Sequence, residues 1–156
     1  MSVSELLALA RAAGVRIATA ESCTGGMIGA ALTDLPGSSD VYDRGFITYS
    51  NAAKIAMLGV LPQTLEAHGA VSEAVAAQMA DGALAGSSAQ LAVAVTGIAG
   101  PGGSEWKPEG RVCFGLAAPG RATITETVEF GPIGRAQVRS ATVAHAVSLM
   151  IRALQP

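Results

Sequence analysis

The stretch VRIATAESCTGGMIGAALTDLPG, residues 15–37, decides the fold class of this chain. Its first six residues form a short β-branched run that predicts a strand, and the polar turn that follows opens a predicted helix ending before Pro36. The pattern returns at 44–58, where a predicted strand (44–50) runs without a gap into a helix with Asn51 as its N-cap. Strands that alternate with helices in this way are typical of α/β domains.

The rest of the chain completes this pattern. The run at 89–97 is continuously apolar and bounded by turn residues, which predicts a strand buried on both faces. Two later strands are separated by the tripeptide PGR and predict an antiparallel hairpin. We therefore expect one domain over residues 1–156, a three-layer α/β/α structure on a mixed sheet. The other predicted elements are helices at 4–13, 62–68, 72–87 and 134–154 and strands at 111–118 and 122–130.

Composition excludes several classes of protein. Half of the residues are apolar and only 14% are charged, which excludes a disordered chain and a coiled coil. Aromatic residues make up 4% and the net charge is −2, so we expect no direct nucleic-acid partner and no attraction to a membrane surface. The N-terminus lacks a signal-peptide pattern, and no apolar run approaches the ~18 residues of a membrane span, which predicts a cytoplasmic protein.

The cysteines and histidines are few and scattered. Cys23 and Cys113 are 90 residues apart, and His68 and His145 are the histidines of the chain. No disulfide framework and no cluster of ligands at metal-binding spacing can be assembled, so we expect no metal and no cofactor. A Ser-His-Asp triad is excluded in the same way. His145 lies roughly opposite the inward face of the last predicted helix, which predicts a solvated side chain.

Ser22 is the first candidate for chemistry, because it enters the turn that opens the predicted helix after residues 15–20. Gly25 and Gly26 let the backbone N–H groups of such a turn point outward, where they can hold a phosphate or an oxyanion. The alternative is that Ser22 or Thr24 only caps the helix. Cys23 is a rival nucleophile, although the neighbouring Glu21 raises the pKa of its thiol.

Lys54 is the second candidate, and it is one of two lysines in the chain. It follows the predicted cap by three residues, where the positive end of the helix dipole lowers the amine pKa and favours a general base. The Tyr49 hydroxyl either joins this cluster or is buried against backbone. Arg139 lies on the inward edge of the last helix, and its partner is either a protein carboxylate or a substrate phosphate. The glycine-rich segment at 97–110 leaves the end of a predicted strand, where α/β sheets bind ligands.

These segments resemble the CinA C-terminal family. The resemblance is carried by TAESCTGG (19–26), GFITYSNAAK (45–54), HGAVSEAVA (68–76), VTGIAGPGGSEWKPEG (95–110) and the arginine-containing start of the last helix. It extends from about residue 4 to residue 154 and implies the CinA-like α/β/α fold. It also implies a metal-free amidase that converts nicotinamide mononucleotide to nicotinate mononucleotide and ammonia, for pyridine-nucleotide recycling.

By motif match, the resemblance places a serine nucleophile on Ser22, a lysine base on Lys54 and an assisting tyrosine on Tyr49. The predicted partner is thus a small-molecule nucleotide substrate, with a homodimer favoured by the many small residues. The predicted substrate contacts are Thr24, Gly25, Gly26, Asn51, Thr96, Gly97, Gly100 and Arg139.

Two other functions remain open. One is a nucleotide-binding module without catalysis, since family members more commonly have one more residue between Pro101 and Gly102. The other is a competence-related partner protein. The acidic pI and the few aromatic residues disfavour direct contact of such a protein with DNA. Many relatives carry an additional N-terminal domain, and pyrophosphate hydrolysis by that domain is not expected of this chain. Release of ammonia from nicotinamide mononucleotide separates the amidase from both alternatives.

Overall fold

The structure, a computed structural model, describes residues 1–104 and 106–156. The predicted helices and strands are present, with boundaries that differ by a few residues. The helices are α1 (Val3–Ala13), α2 (Met27–Thr33), α3 (Asn51–Leu58), α4 (Pro62–His68), α5 (Glu73–Ala85) and α6 (Arg135–Leu154). The strands are β1 (Ile17–Glu21), β2 (Tyr42–Ile47), β3 (Leu91–Gly97), β4 (Arg111–Ala117) and β5 (Ile124–Glu129).

The strands form one mixed sheet in the order β2-β1-β3-β4-β5. Strand β1 is parallel to both of its neighbours, whereas β4 is antiparallel to β3 and β5. The parallel half is built from strand–helix units and the antiparallel half from the predicted hairpin. The mixed sheet is therefore confirmed.

The two faces of the sheet bury residues of different size. Ile17, Val93 and Val95 face α1, α2 and α6, while alternate positions such as Ala18 and Ala94 face α5. Because alanines cover the second face, α5 packs very close to the sheet. At Gly115 an added Cβ would lie 2.4 Å from the carbonyl oxygen of Ala76 on α5. Helices thus cover both faces, which confirms the three-layer α/β/α fold.

The carboxyl ends of β1, β2 and β3 meet at one edge of the sheet, because these strands are parallel. Three segments leave this edge: residues 22–26, which we call the nucleophile turn, residues 48–50 before α3, and residues 98–110, which we call the glycine loop. Ligands of open α/β sheets bind outside this edge. The fold therefore gathers the segments that carry the predicted site residues.

Strand β2 and helix α3 differ from the prediction in two respects. Ser50, and not Asn51, is the N-cap, since its side chain accepts a hydrogen bond from the backbone N–H of Ala53. The strand ends at Ile47 because the next two residues turn their carbonyls toward the Lys54 side chain. Lys54 thus lies four residues after the cap, where its N–H closes the first helical turn onto Ser50.

Candidate active site

A cleft of about 340 Å³ opens at the carboxyl edge of the parallel strands. This volume lies in the range of ~300–1,000 Å³ that small-molecule sites occupy. Its lining includes seven of the predicted site residues, namely Ser22, Tyr49, Asn51, Lys54, Thr96, Gly97 and Gly100. The structure therefore brings together residues that are up to 78 positions apart in sequence, from Ser22 to Gly100.

Ser22 and Lys54 are in direct contact in this cleft. The Lys54 Nζ lies 3.0 Å from the Ser22 Oγ, and both side chains are buried, Lys54 to 1% exposure. Lys54 Nζ also donates to the carbonyl oxygens of Thr48, at 2.9 Å, and Tyr49, at 3.4 Å. The main chain around Ser22 is fixed as well, because its N–H donates to the Val95 carbonyl of β3. A serine and a lysine held at this distance have the geometry of a nucleophile and its base.

Tyr49 contributes to this arrangement in a way that neither prediction anticipated. Its side chain is 63% exposed, so the alternative of a buried tyrosine is wrong. Its carbonyl oxygen holds Lys54, whereas its hydroxyl contacts Nη2 of Arg135 at 3.2 Å. The backbone of Tyr49 thus positions the lysine, and its phenol extends across the cleft.

Glu21 occupies the start of α2, which changes the predicted role of the N–H groups there. Its buried carboxylate accepts hydrogen bonds from the Thr24 hydroxyl and from the N–H groups of Gly26, Ile28 and Gly29. We predicted that N–H groups at the start of the helix hold the substrate or an oxyanion. This is wrong for these three N–H groups, because they already donate to Glu21. The alternative that Ser22 or Thr24 caps α2 is also wrong, since Gly26 is the N-cap and the Glu21 carboxylate accepts from the N–H groups of Ile28 and Gly29 in the first turn.

Arg139 lies behind the nucleophile turn and not in the lining of the cleft. Its Nε donates to the Cys23 carbonyl at 3.0 Å, and its Nη2 lies 3.3 Å from the Thr24 carbonyl. The predicted partner of this half-buried arginine was a carboxylate or a phosphate, and two backbone carbonyls take that place in the structure. It supports the turn from behind, beside Gly25, whose added Cβ would meet the guanidinium at 3.5 Å.

Four predicted substrate contacts are thus absent from the lining of the cleft. Thr24 is fully buried and bound to Glu21, and Gly26 donates its N–H to the same carboxylate. Gly25 and Arg139 face each other on the far side of the turn. These residues shape the nucleophile turn and do not reach the cleft.

Cys23 lines the cleft next to Ser22, and its side chain is buried. Burial raises the pKa of the Cys23 thiol to about 11, and the Glu21 carboxylate adds to the rise as predicted. The neutral thiol therefore dominates at physiological pH, and only the thiolate is a good nucleophile. Cys113 is also buried, at 2% exposure, and its pKa is raised by burial.

The glycine loop is held in place by two of its own side chains. Lys107 Nζ donates to the carbonyls of His68 and Val71, and the Glu109 carboxylate accepts from the Gly102 N–H. Thr96, at the end of β3, donates its hydroxyl to the Ala70 carbonyl at 2.9 Å. Thr96 therefore ties the floor of the cleft to the segment before α5. Residue 105, which belongs to the predicted loop, lies outside the described residues.

Sequence reasoning missed Arg135, the first residue of α6. Arg135 lines the cleft, and its Nη1 donates to the Gly100 carbonyl at 2.6 Å. The resemblance includes the arginine-containing start of the last helix, but the inward face of that helix favours Arg139 over Arg135. The missed signal is that a helix following the carboxyl end of a strand begins at the edge of the sheet where ligands bind.

The prediction of a solvated His145 is also wrong. It is half-buried, with its ring 4.6 Å from that of Phe114 and its Nε2 in contact with Glu126. The sheet extends far enough beside α6 for Phe114 and Glu126 to cover this flank of the helix. Among residues 1–104 and 106–156 there is no group of three potential metal ligands, and no helix is long and apolar enough to cross a membrane.

Comparison with known proteins places the chain among relatives of similar sequence and structure. It is 50% identical over 154 residues to a CinA-like protein of Mycobacterium tuberculosis, covering 98% of this chain and 35% of that protein. It is 58% identical over 120 residues to a CinA-like protein of Chlorobium phaeobacteroides, covering 75% and 29%. The chain thus spans about a third of the length of these curated relatives.

The solved structures match over nearly their whole length. The competence/damage inducible protein CihA from Agrobacterium tumefaciens is 48% identical, with a TM-score of 0.90 over 97% of this chain and 96% of that one. A CinA superfamily protein from Klebsiella pneumoniae is 36% identical, with a TM-score of 0.91 and coverage of 97% and 94%. The CinA C-terminal domain matches residues 2–154, and the chain belongs to that family.

Proposed function

We propose that this chain is a nicotinamide-nucleotide amidase that hydrolyses nicotinamide mononucleotide to nicotinate mononucleotide and ammonia. The observation that carries the proposal is the 3.0 Å contact between Lys54 Nζ and Ser22 Oγ in the cleft. The family resemblance supplies the substrate, and the cleft has a suitable volume for a small nucleotide. No cofactor takes part in the proposed reaction.

Ser22 acts as the nucleophile. In its neutral form, Lys54 accepts the Ser22 proton while Oγ attacks the carboxamide carbon, which gives a tetrahedral oxyanion. The contacts support this role, because a neutral Nζ that donates its two hydrogens to the carbonyl oxygens of Thr48 and Tyr49 keeps its lone pair for the Ser22 hydroxyl. The protonated lysine then gives its proton to the leaving nitrogen, ammonia departs, and an ester on Ser22 remains.

Water completes the reaction. Lys54 accepts a proton from water, which attacks the ester carbonyl, and the proton passes to Ser22 Oγ as nicotinate mononucleotide leaves. The oxyanion needs donors other than the N–H groups of Gly26, Ile28 and Gly29, which Glu21 occupies. The N–H of Cys23 takes their place in the proposal, since the residue after a nucleophile serves this purpose in other hydrolases.

The experiment is an ammonia assay on the purified chain with nicotinamide mononucleotide, with formation of nicotinate mononucleotide followed by chromatography. We expect equal amounts of both products and no ammonia from the Ser22→Ala variant. A chain that binds the mononucleotide without releasing ammonia would be a binding module instead. A homodimer in the cytoplasm is part of the proposal, and sedimentation equilibrium of the same sample measures the assembly.

A further inference from the structure

Glu21, the last residue of β1, has a buried carboxylate that takes no part in the proposed chemistry. The residue is only 2% exposed. Its Oε1 accepts from the Thr24 hydroxyl at 2.5 Å and from the N–H groups of Gly26 and Ile28 at 3.3 and 2.9 Å, and its Oε2 accepts from the Gly29 N–H at 3.0 Å. Backbone N–H groups only donate, so both oxygens are acceptors, as in an ionised carboxylate.

Two other helices of this protein begin with simpler caps. Ser50 and Ser72 cap α3 and α5, and each does so through one hydroxyl that accepts one N–H. Burying a carboxylate costs more free energy than burying a hydroxyl, so the need for a cap does not by itself explain Glu21. What Glu21 adds is a link from the end of β1 across the nucleophile turn to α2. Ser22 lies inside the ring that this link closes.

The main chain of Glu21 is linked to the base. Its carbonyl oxygen accepts from the Thr48 N–H at 2.8 Å and from the Thr48 hydroxyl at 3.5 Å. The Thr48 carbonyl in turn accepts from Lys54 Nζ at 2.9 Å. The side chain of Glu21 thus holds the segment that carries Ser22, and its main chain holds the residue that orients Lys54. One residue is therefore bonded to the supports of both members of the dyad.

We propose that Glu21 is a positioning residue that sets the distance between Ser22 Oγ and Lys54 Nζ. Its carboxylate is absent from the lining of the cleft, so it acts on the reaction through the main chain that it holds. A nucleophile that is displaced from its base loses rate, whereas binding of the substrate elsewhere in the cleft is unaffected. The effect on catalysis rests on the proposed function, but the effect on the contact between the two side chains does not.

A purely structural role makes a different prediction. If Glu21 only stabilises the fold, its replacement lowers the free energy of unfolding, and the molecules that remain folded turn over at the wild-type rate. If Glu21 positions the dyad, folded molecules turn over slowly while KM stays the same. Values of kcat and KM measured well below the unfolding temperature of each variant therefore separate the two roles.

The first experiment measures kcat and KM on nicotinamide mononucleotide, at a temperature where circular dichroism shows every variant to be folded. Glu21→Ala removes all of the acceptors and should lower kcat by about 100-fold, the cost of a displacement of about 1 Å, with KM changed by less than about threefold. Glu21→Gln keeps one acceptor oxygen and should restore part of the loss. If Glu21→Ala does not fold, the lowered kcat of Glu21→Gln relative to the wild type decides the question.

Two variants serve as controls. Glu73→Gln makes the same substitution at a carboxylate in the first turn of α5, which accepts from the hydroxyls of Thr125 and Thr127 and is absent from the lining of the cleft. Leu6→Ala opens a cavity in the core under α1 and controls for a loss of stability. Both should retain the wild-type kcat. A fall in kcat as large in Leu6→Ala as in Glu21→Gln would assign Glu21 a structural role only.

The second experiment observes the dyad without turnover. Lys54 and Lys107 are the two lysines of the chain, so lysine labelled with 13C at Cε gives two NMR signals, which Lys107→Arg assigns. Ser22→Ala should shift the Lys54 signal in the wild type, because it removes the 3.0 Å contact, and should shift it less in the Glu21→Gln background. Equal shifts in both backgrounds, or a wild-type kcat in Glu21→Gln, would overturn the proposal. Absence of ammonia from the wild type would instead refute the proposed function, and the NMR shifts would still decide the role of Glu21.

Discussion

The nucleophile turn and the glycine loop both leave the carboxyl edge of the sheet, but they are held in different ways. Residues 22–24 of the turn are buried, and the turn is fixed from three sides, by the Glu21 carboxylate, by Arg139 and by the bond from Ser22 N–H to β3. The glycine loop is exposed at residues 101–104 and is anchored by long side chains, among them Lys107 and Arg135.

This difference matches the demands of a catalyst. A nucleophile must be held close to its reacting geometry, and small displacements cost rate. A loop that covers a substrate must open and close around it, so exposed side-chain anchors that can exchange partners are suitable. The predictions below test whether chemistry depends on the turn and recognition on the loop.

The largest effect is expected in the dyad at the fixed turn. Ser22→Ala and Lys54→Met should each lower kcat on nicotinamide mononucleotide by about 10³-fold or more, because serine is a weak nucleophile without a base. The double variant should cost little more than either alone, since the two side chains act as one unit. Circular dichroism checks that each variant is folded. A Lys54→Met variant with near-wild-type kcat would break the comparison.

The next effect concerns stability. Glu21→Ala leaves the Thr24 hydroxyl and three N–H groups without their acceptor and should lower the free energy of unfolding by about 3–5 kcal/mol. The matched change in the glycine loop is Glu109→Ala, which frees the exposed Gly102 N–H and should cost less than about 1 kcal/mol. Urea denaturation of both variants gives the two values. Similar losses would show that the turn is no more strongly fixed than the loop.

A smaller effect is expected at Arg139, which supports the turn from behind. Arg139→Ala should lower kcat/KM by about tenfold for the mononucleotide and equally for nicotinamide riboside, which lacks the phosphate, since the substitution displaces the Cys23 and Thr24 carbonyls without touching the phosphate. Steady-state kinetics on both substrates provides the test. A loss confined to the mononucleotide would return Arg139 to the phosphate-binding role that its sequence position suggested.

The smallest effect is expected at Cys23. Because burial raises the pKa of its thiol to about 11, the thiolate fraction is very small at pH 8 and grows only as the pH approaches that value. In a Cys113→Ser background, alkylation of Cys23 by iodoacetamide should be slow at pH 8 and accelerate between pH 9 and 11. Mass spectrometry follows the modification. Rapid alkylation at pH 7 would indicate an activated thiol and reopen Cys23 as the nucleophile.

Much of the site could be predicted from the sequence because its residues are local to strand ends. Ser22 follows β1, Lys54 follows β2 and Thr96 ends β3, so the alternation of strands and helices was enough to bring them to one edge. Arg139 was assigned from the inward face of a helix. Arg139 does lie on the inward side of α6, but its guanidinium contacts the back of the nucleophile turn and does not line the cleft.

What the sequence determined by itself was the order of elements, the mixed sheet and the edge at which the site lies, because periodicity and turn residues act over a few neighbouring positions. The tertiary structure alone decided which polar group each donor meets. Glu21 caps α2, Tyr49 reaches Arg135 and not the dyad hydroxyl, and His145 packs against Phe114. These contacts join residues that are seven to 86 positions apart, and they depend on how close two segments pass, which no local pattern encodes.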